Sequence, residues 1–200
     1  MSDKSYLVAG LGNIGADYSA TRHNIGFMVL DAWAQASNIY FATGRYGDMA
    51  EDSIKGRKFH LLKPSTYMNL SGNAVRYWMR ELEIPMENLI VICDDINLPF
   101  GTVRMRMNGS DGGHNGLRNI EELLESRQYA RIRMGVGHDF EEGGQINFVL
   151  GTFCPEQLAA IPALAEKVTE GIKTWALAGG QKAMTLLNTR PEKAENAPIQ

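Results

Sequence analysis

Residues 89–95 read LIVICDD. The first five residues form a fully apolar run, which is followed directly by two aspartates. A strand that is covered on both faces of a parallel sheet is apolar throughout, and this run has that character. In such sheets, functional groups gather just beyond the carboxyl ends of the strands. The run therefore predicts a central parallel strand, with Asp94 and Asp95 at the edge of the sheet where an active site is expected.

The segments on either side of this strand alternate between strand and helix patterns. Strand patterns occur at 6–10, about 40–51, 58–63, 89–93, 102–107 and 130–137. Helical spacing of apolar residues occurs at 24–35, 71–82 and 116–125, and two or more helices fit within 155–187. This interleaving predicts an α/β fold in which a twisted mixed, mainly parallel sheet is flanked by helices. We expect a single domain over residues 1–190 and a disordered polar tail over 191–200.

The composition is that of an ordinary soluble protein. The 200 residues are 44% hydrophobic and 22% charged, with a net charge of −3. No run approaches the ~20 apolar residues that a membrane span needs. The two cysteines, Cys93 and Cys154, predict free thiols and a reducing, cytoplasmic location. The four histidines lack paired metal-ligand spacing, so neither a metal nor another cofactor is expected.

Arginine is unevenly distributed along this acidic chain. Residues 100–133 contain six arginines and four acids, whereas the remainder carries an excess of acids. A local basic face can bind phosphates on a protein whose net charge is negative. Ordinary surface arginines would give the same composition, so charge alone does not decide between the two interpretations.

A histidine and a carboxylate stand at two of the predicted strand ends. His23 lies in TRHN, residues 21–24, just before a predicted helix, and Asp94 follows the apolar strand. A histidine can act as a general base when a carboxylate fixes its tautomer and stabilises its protonated form. The alternatives are a structural His23 beside a helix cap made by Thr21 or Asn24, and a solvated Asp94.

The first turn, GLGNIG at residues 10–15, has the spacing of the dinucleotide-binding pattern G-x-G-x-x-G. That pattern requires a helix to begin at once, whereas the nine residues ADYSATRHN intervene here. An oxidoreductase is therefore disfavoured, and glycines that permit a tight turn are the simpler explanation. The turn alone does not explain Asn13.

Two further strand-to-helix junctions carry amides, PSTYMNLSG at 64–72 and SDGGHNGL at 110–117. Asn69 or Ser71 can serve as a helix cap, and His114 and Asn115 stand at the other helix entrance. Because an asparagine amide both donates and accepts hydrogen bonds, it can hold an ester carbonyl or a water. A serine hydrolase is disfavoured because the chain has no G-x-S-x-G elbow.

Together these segments resemble the bacterial peptidyl-tRNA hydrolase family from about Tyr6 to Leu187. The resemblance is carried, in order, by GLGNIG with DYSATRHNIGF, LLKPSTYMNLSGNAV, ICDDINLPFG, DGGHNGL, RIRMGVGH and NFVLGTF. It implies an esterase that cleaves the bond between peptide and tRNA and so recycles the tRNA. It also implies that the substrate, peptidyl-tRNA, is bound by its acceptor stem and 3′ end, and that the enzyme is a monomer without a cofactor.

The resemblance implies roles for individual residues. His23 matches the general base, Asp94 the carboxylate that orients it, and Asn13 a residue that helps to distinguish blocked from free aminoacyl ends. We expect a substrate groove lined by Tyr18, Tyr67, Met68, Asn69, His114 and Asn115. Contacts to tRNA phosphates are expected from Arg104, Arg106 and Arg133.

The sequence departs from the family pattern at Ile14, Tyr67, Asn97, Asp111 and Asp139. None of these departures removes a proposed catalytic group. Two alternatives stay open beside the hydrolase. One is a non-catalytic RNA-binding relative, which the presence of both His23 and Asp94 disfavours. The other is an unrelated small-ester hydrolase on the same scaffold.

Overall fold

The protein is built as three layers, with helices on both faces of one sheet. A computed structural model describes residues 4–188. Within these residues the sheet has seven strands in the order β2-β3-β4-β1-β5-β7-β6. The strands are β1 Lys4–Gly10, β2 Ala42–Gly44, β3 Gly47–Ile54, β4 Arg57–Pro64, β5 Leu89–Asp95, β6 Val103–Arg106 and β7 Ala130–Gly135.

The centre of the sheet is parallel and its edges are antiparallel. β1 pairs in parallel with β4 and β5, and β5 pairs in parallel with β7. β2, β3 and β6 run antiparallel to their neighbours. All residues from Leu89 to Cys93 are completely buried, as expected for a central strand that is covered on both faces. The predicted fold class is thus confirmed.

Two separate cores fill the spaces between the sheet and the helices. The helices are α1 Ile25–Ser37, α2 Ser71–Glu81, α3 Asn115–Leu124, α4 Gln145–Val149, α5 Pro155–Ala178 and α6 Gly180–Leu187. One core packs α1, α5 and α6 against the sheet, and the other packs α2 and α3 against its opposite face. No helix within residues 4–188 is both long and apolar enough to cross a membrane. The predicted disordered tail, 191–200, lies outside the described residues.

Glycines allow α1 to pack directly on the ends of β1 and β5. A Cβ atom on Gly10 would collide with the carbonyl oxygen of Gly26. A Cβ atom on Gly26 would collide with the backbone of Leu11 and approach the carbonyl oxygen of Ile92. The first glycine of GLGNIG therefore serves close packing between a strand and a helix. This packing brings the segment before α1 to the end of β5.

Two elements differ from the expectation. The single strand predicted at about 40–51 is wrong, because a tight turn at Arg45 and Tyr46 divides it into the hairpin β2–β3. Tyr46 has a φ of 62°, in the left-handed region that such turns use. The short helix α4 is not predicted by the sequence, since its five residues show too little periodicity to identify a helix.

The edge strand β6 is covered by α6 and by a side chain that follows it. Oδ1 of Asn188 accepts a hydrogen bond from the backbone N–H of Met105 at 2.6 Å. Nδ2 of Asn188 donates to the carbonyl oxygen of Met105 at 3.1 Å. One amide side chain thus makes both hydrogen bonds that a further strand would make to this residue.

Candidate active site

The site lies at the carboxyl edge of the parallel strands, and its centre is a histidine–carboxylate pair. Nδ1 of His23 lies 2.8 Å from Oδ1 and 2.9 Å from Oδ2 of Asp94. Asp94 is 3% exposed and belongs to the end of β5, whereas His23 is 13% exposed and precedes α1 in the 3-10 turn Arg22–Asn24. An ionised carboxylate only accepts hydrogen bonds, so a neutral His23 carries its proton on Nδ1. Its Nε2 is then left with a free lone pair, as a general base requires.

A second histidine binds the same carboxylate in the opposite tautomer. Nε2 of His114 donates to Oδ1 of Asp94 at 2.9 Å. Its Nδ1 accepts from the backbone N–H groups of Gly116 and Leu117, at 3.1 and 3.3 Å, and so caps α3. We expected His114 in the substrate groove, but both of its ring nitrogens are engaged with the protein. The structure therefore places it as a support for Asp94.

The electrostatics of Asp94 follow from these contacts. Burial alone would raise the pKa of its carboxyl group, but the charges and hydrogen bonds of His23 and His114 outweigh burial. The pKa of Asp94 is thereby held well below its ordinary value of 3.8. The carboxylate is ionised throughout the neutral range and accepts from both imidazoles.

The same three side chains also form a cluster of possible metal ligands. One donor atom from each of His23, Asp94 and His114 lies within 4.8 Å of the others. However, the donor atoms that face each other are joined by hydrogen bonds of 2.8 and 2.9 Å. The observed geometry is that of a hydrogen-bond network that orients an imidazole.

Asn13 is buried beside this pair with a defined amide orientation. Its Oδ1 accepts from the backbone N–H of Met68 at 2.9 Å. Its own backbone forms two 2.8 Å hydrogen bonds with the side-chain amide of Asn24. Within residues 4–188 its Nδ2 has no hydrogen-bond partner, so both of its N–H donors remain available. The glycines of GLGNIG allow the tight turn, and Asn13 joins that turn to Met68 and Asn24.

The expected helix caps are not formed. Neither Thr21 nor Asn24 caps α1 through its side chain: Thr21 Oγ1 donates to the carbonyl oxygen of Tyr18, and Asn24 holds Asn13 instead. Ser71 is bonded to the carbonyl oxygen of Met68, and the residue that precedes α2 makes no side-chain cap. Asn69 is exposed, and its side chain has no hydrogen bond to any described residue. Capping therefore does not account for Asn69.

The remaining residues expected in the groove lie on different elements of the chain. Tyr67 is 65% exposed, whereas Met68 is buried beneath it and is bonded to Asn13 through its backbone. Asn115 is exposed at the first position of α3, and its Oδ1 accepts from Arg118 at 3.3 Å. Tyr18 is half-buried in the turn between β1 and His23. The side chains available to a substrate are therefore mostly amides and tyrosines.

The predicted phosphate-binding arginines lie on one face of β6 and β7. Arg104 pairs in register with Arg133, and Arg106 with Arg131. Arg133 forms an ion pair with Asp95 at 3.5 Å and donates to the carbonyl oxygen of Ser110 at 2.7 Å. Arg104 and Arg106 are exposed and have no ion pair in the described part of the chain. These two are more available to a phosphate than Arg133 is.

Asp111, one of the departures from the family pattern, is neutralised locally. Its Oδ1 accepts from the backbone N–H of Gly113 at 2.8 Å and lies 3.5 Å from Nη2 of Arg118. Burial works to raise the pKa of Asp111, but these two contacts prevail and lower it. The carboxylate therefore stabilises the glycine-rich loop that leads to His114.

Sequence reasoning missed Arg22, which connects the catalytic pair to the segment that carries α4. Its Nη1 donates to the carbonyl oxygen of Phe148 at 3.1 Å, and its guanidinium lies 4.2 Å from the ring centroid of Phe148. Its backbone N–H bonds to the carbonyl oxygen of Gly151 at 3.0 Å. Its position directly before His23 was the only signal in the sequence.

A histidine that is oriented by a buried carboxylate, at the carboxyl edge of an α/β sheet, is the arrangement of an enzyme that uses a general base. Residues 7–196 match the family model described as peptidyl-tRNA hydrolase. The chain therefore belongs to the peptidyl-tRNA hydrolase family.

Individual relatives agree with this assignment. The chain is 55% identical to the peptidyl-tRNA hydrolase of Phocaeicola vulgatus over 185 residues, which is 92% of this chain and 99% of that protein. It is 54% identical to the peptidyl-tRNA hydrolase of Bacteroides fragilis over the same shares. The crystal structure of peptidyl-tRNA hydrolase from Acinetobacter baumannii superposes with a TM-score of 0.86 at 29% identity, covering 94% of this chain and 96% of that one.

Proposed function

We propose that this protein hydrolyses the ester bond between peptide and tRNA in peptidyl-tRNA, with His23 as the general base. The observation that carries the proposal is the 2.8 Å contact between His23 and the buried Asp94, in a chain that belongs to a hydrolase family. The pair leaves Nε2 of His23 able to accept a proton. The presence of an intact base disfavours the alternative of a non-catalytic RNA-binding relative.

The reaction needs only water and this pair. His23 takes a proton from water at Nε2 while the water oxygen attacks the ester carbonyl carbon. The tetrahedral intermediate then collapses, the bond to the ribose oxygen breaks, and His23 returns the proton to that oxygen. The products are a tRNA with a free ribose hydroxyl and a peptide carboxylic acid, which releases its proton to solvent and becomes a carboxylate. General-base catalysis of this kind contributes ~10²–10⁴-fold to the rate, and Asp94 stabilises the imidazolium that forms in between.

Amide groups suit the recognition of the peptide end. The free Nδ2 of Asn13 can donate to a carbonyl oxygen of a blocked aminoacyl group, and Asn69 and Asn115 can hold the ester carbonyl or the attacking water. Such donors stabilise the developing oxyanion, where removal of a single donor costs ~3–4 kcal/mol. Tyr18 and Tyr67 complete the groove beside them, and Met68 packs under it. Contacts of this kind read the peptide backbone and are independent of its side chains.

The RNA end is bound through phosphates. Arg104 and Arg106, with Arg133 beside them, fit the acceptor stem, while the 3′ end reaches the base. Such contacts are independent of nucleotide sequence, and they become weaker as the salt concentration rises. We further propose that the protein acts in the cytoplasm as a monomer and without a cofactor.

The test is hydrolysis of N-acetyl-aminoacyl-tRNA beside the unblocked aminoacyl-tRNA, with the wild type and with His23→Ala. We expect cleavage of the blocked form alone, and its loss in the variant, which should retain the circular dichroism of the wild type. Binding of the blocked tRNA without cleavage by the folded wild type would favour the RNA-binding alternative. Cleavage of a p-nitrophenyl ester alone would favour a small-ester hydrolase.

A further inference from the structure

One face of α2 takes no part in the function proposed above. It carries polar and cationic side chains at positions i, i+3, i+4 and i+7, which fall in a row on a helix: Asn73, Arg76, Tyr77 and Arg80. The opposite face of the helix, with Ala74 and Val75, is completely buried. The spacing of apolar residues predicted the buried face of α2, and it gave no role to the polar face.

The turn between β2 and β3 adds a third arginine to this row. The guanidinium of Arg45 lies 5.2 Å from the ring centroids of both Tyr46 and Tyr77. The two rings pack edge to face with centroids 5.5 Å apart. Nε1 of Trp78 donates to the carbonyl oxygen of Arg45 at 2.8 Å and so fastens the turn to α2. The guanidinium is thus held in place by aromatic groups rather than by a carboxylate.

These side chains enclose a shallow concavity with an excess of positive charge. Its volume is about 290 Å³, and its lining consists of Arg45, Tyr46, Asn73, Arg76, Tyr77, Arg80 and Glu81. We call this lining the α2 arginine surface. It contains three guanidinium groups and one carboxylate, on a protein whose net charge is −3.

The three arginines have no directly bound carboxylate among the described residues, although Glu81 lies in the same lining. Within residues 4–188, none of Arg45, Arg76 and Arg80 forms an ion pair with a carboxylate. By contrast, the arginines around α3 are paired: Arg118 with Asp111, Arg127 and Arg131 with Glu121, and Arg133 with Asp95. Unpaired guanidinium groups that converge on one concavity are what an anionic ligand requires, because each can bind a phosphate through two parallel N–H donors.

The α2 arginine surface begins beside the substrate groove. The backbone N–H of Ser65 donates to the carbonyl oxygen of Tyr46 at 2.8 Å, in the turn that continues to Met68 and its contact with Asn13. From Ser71 to Arg80, α2 leads away over roughly 13 Å, at 1.5 Å per residue. On the sheet, β2 and β3 lie on the opposite side of β1 and β5 from β6, which carries Arg104 and Arg106. Basic surfaces therefore flank the site on both sides.

We propose that the α2 arginine surface binds phosphodiester groups of the tRNA, at nucleotides other than its 3′ terminus. The inference rests on the proposed function, because it assigns this surface to the same substrate. Arginines supply the phosphate contacts, and the exposed ring of Tyr46 supplies a face on which an unpaired base can stack. The contact is independent of nucleotide sequence, as an enzyme for many tRNAs requires.

The experiment compares two sets of three substitutions that change the net charge equally. The test variant is Arg45→Gln with Arg76→Gln and Arg80→Gln. The control is Lys55→Gln with Lys167→Gln and Lys182→Gln, at sites away from the α2 arginine surface. Hydrolysis is measured between 50 and 200 mM salt on N-acetyl-aminoacyl-tRNA and on the same ester carried by the 3′-terminal adenosine alone. If the triple variant does not fold, Arg76→Gln with Arg80→Gln replaces it, because that pair keeps the stacked Arg45, and Lys167→Gln with Lys182→Gln becomes the control of equal charge.

For the full tRNA we expect the test variant to raise KM about tenfold with unchanged kcat. The slope of log(kcat/KM) against log salt should become shallower by ~1 for each phosphate that the variant no longer binds. Both variants should cleave the adenosine ester like the wild type, and the control should also match it on full tRNA. An unchanged KM and slope on full tRNA, or an equal loss on both substrates, would overturn the inference.

Failure of the proposed function is recognised separately. If the folded wild type cleaves neither substrate, the affinity for deacylated tRNA is measured by fluorescence anisotropy for the same variants. Weaker binding by the test variant alone would support the α2 arginine surface, and equal binding by all three proteins would reject it.

Discussion

At the scale of single residues, the central feature is one carboxylate that accepts from two histidines. Asp94 holds His23 with its proton on Nδ1 and His114 with its proton on Nε2. The pairing of His23 with Asp94 was implied by the family resemblance, since position alone left structural alternatives open for both residues. The second bond was not, because the tautomer of His114 depends on backbone groups of α3 that sequence cannot position. The contact between Asn24 and Asn13 escaped prediction for the same reason, since asparagine before a helix ordinarily indicates a cap.

Asp94 should make stability depend on pH in the acid range. The pKa of Asp94 is lowered in the folded protein from its ordinary value of 3.8. The ionised carboxylate therefore stabilises the fold when the pH is above 3.8. That contribution is lost as the pH falls from about 3.8 through the folded pKa. We expect the free energy of unfolding, measured in urea at pH 5 and pH 3, to fall more for the wild type than for Asp94→Asn. Equal losses in the two proteins would contradict this account of Asp94.

His114 can be tested by separating its two contacts. His114→Asn keeps a good helix cap but loses the donor to Asp94, whereas His114→Ala loses both. We expect the asparagine variant to lose ~1–3 kcal/mol of stability in urea unfolding, because the buried Asp94 loses one donor. Its kcat should fall roughly tenfold or more because His23 is less well positioned. The alanine variant should in addition lose ~1 kcal/mol of stability. A wild-type kcat in His114→Asn would show that His114 serves α3 alone.

At the scale of elements, strongly patterned segments were predicted well and short ones were not. The apolar strand β5 and the amphipathic helices α2 and α3 lie where their periodicity indicated. The hairpin β2–β3 was predicted as one strand, because its turn needs a positive φ at Tyr46, a residue type that does not indicate a turn. The antiparallel direction of β6 is also invisible in its own sequence, since both directions give the same alternation.

The close packing of α1 on the strand ends should be sensitive to a single added methyl group. Gly26→Ala would force the helix away from Leu11 and Ile92. We expect a loss of ~1–3 kcal/mol in the free energy of unfolding, as for other overpacked sites. A fall in kcat should accompany it, because His23 precedes the same helix. As a control, Gln35→Ala on the exposed side of α1 should change stability by less than ~0.5 kcal/mol. Wild-type stability and kcat in Gly26→Ala would show that α1 does not pack tightly on Leu11 and Ile92.

At the scale of the whole molecule, the fold class and the family could be predicted. Which arginines pair with acids, and which form a basic surface, could not. The arginines at 104, 106 and 133 were assigned to tRNA phosphates by the family resemblance, yet of these three only Arg133 is paired with an acid among the described residues. The α2 arginine surface was not foreseen, because Arg45 and Arg76 come from distant segments that only the tertiary fold brings together. A cluster of arginines along the sequence therefore does not show which of them are free of acidic partners in the folded protein.

The two thiols should differ sharply in reactivity. Cys93 is completely buried in β5, and burial raises the pKa of its thiol to about 12, whereas Cys154 is exposed. We expect Ellman's reagent to titrate one thiol per chain in the native protein and two after denaturation. Native Cys154→Ser should then show none, and a rapid reaction of that variant would mean that β5 opens far more readily than its burial implies.

The bonds that Asn188 makes to Met105 have a consequence for how the protein is completed. Asn188 follows every described strand in the sequence, so it is synthesised after β6, the strand to which it bonds. Until then, the outer strand presents open backbone groups to which a second chain can add. Removal of this asparagine should therefore leave the backbone of Met105 unpaired, which lowers stability and favours self-association at this edge.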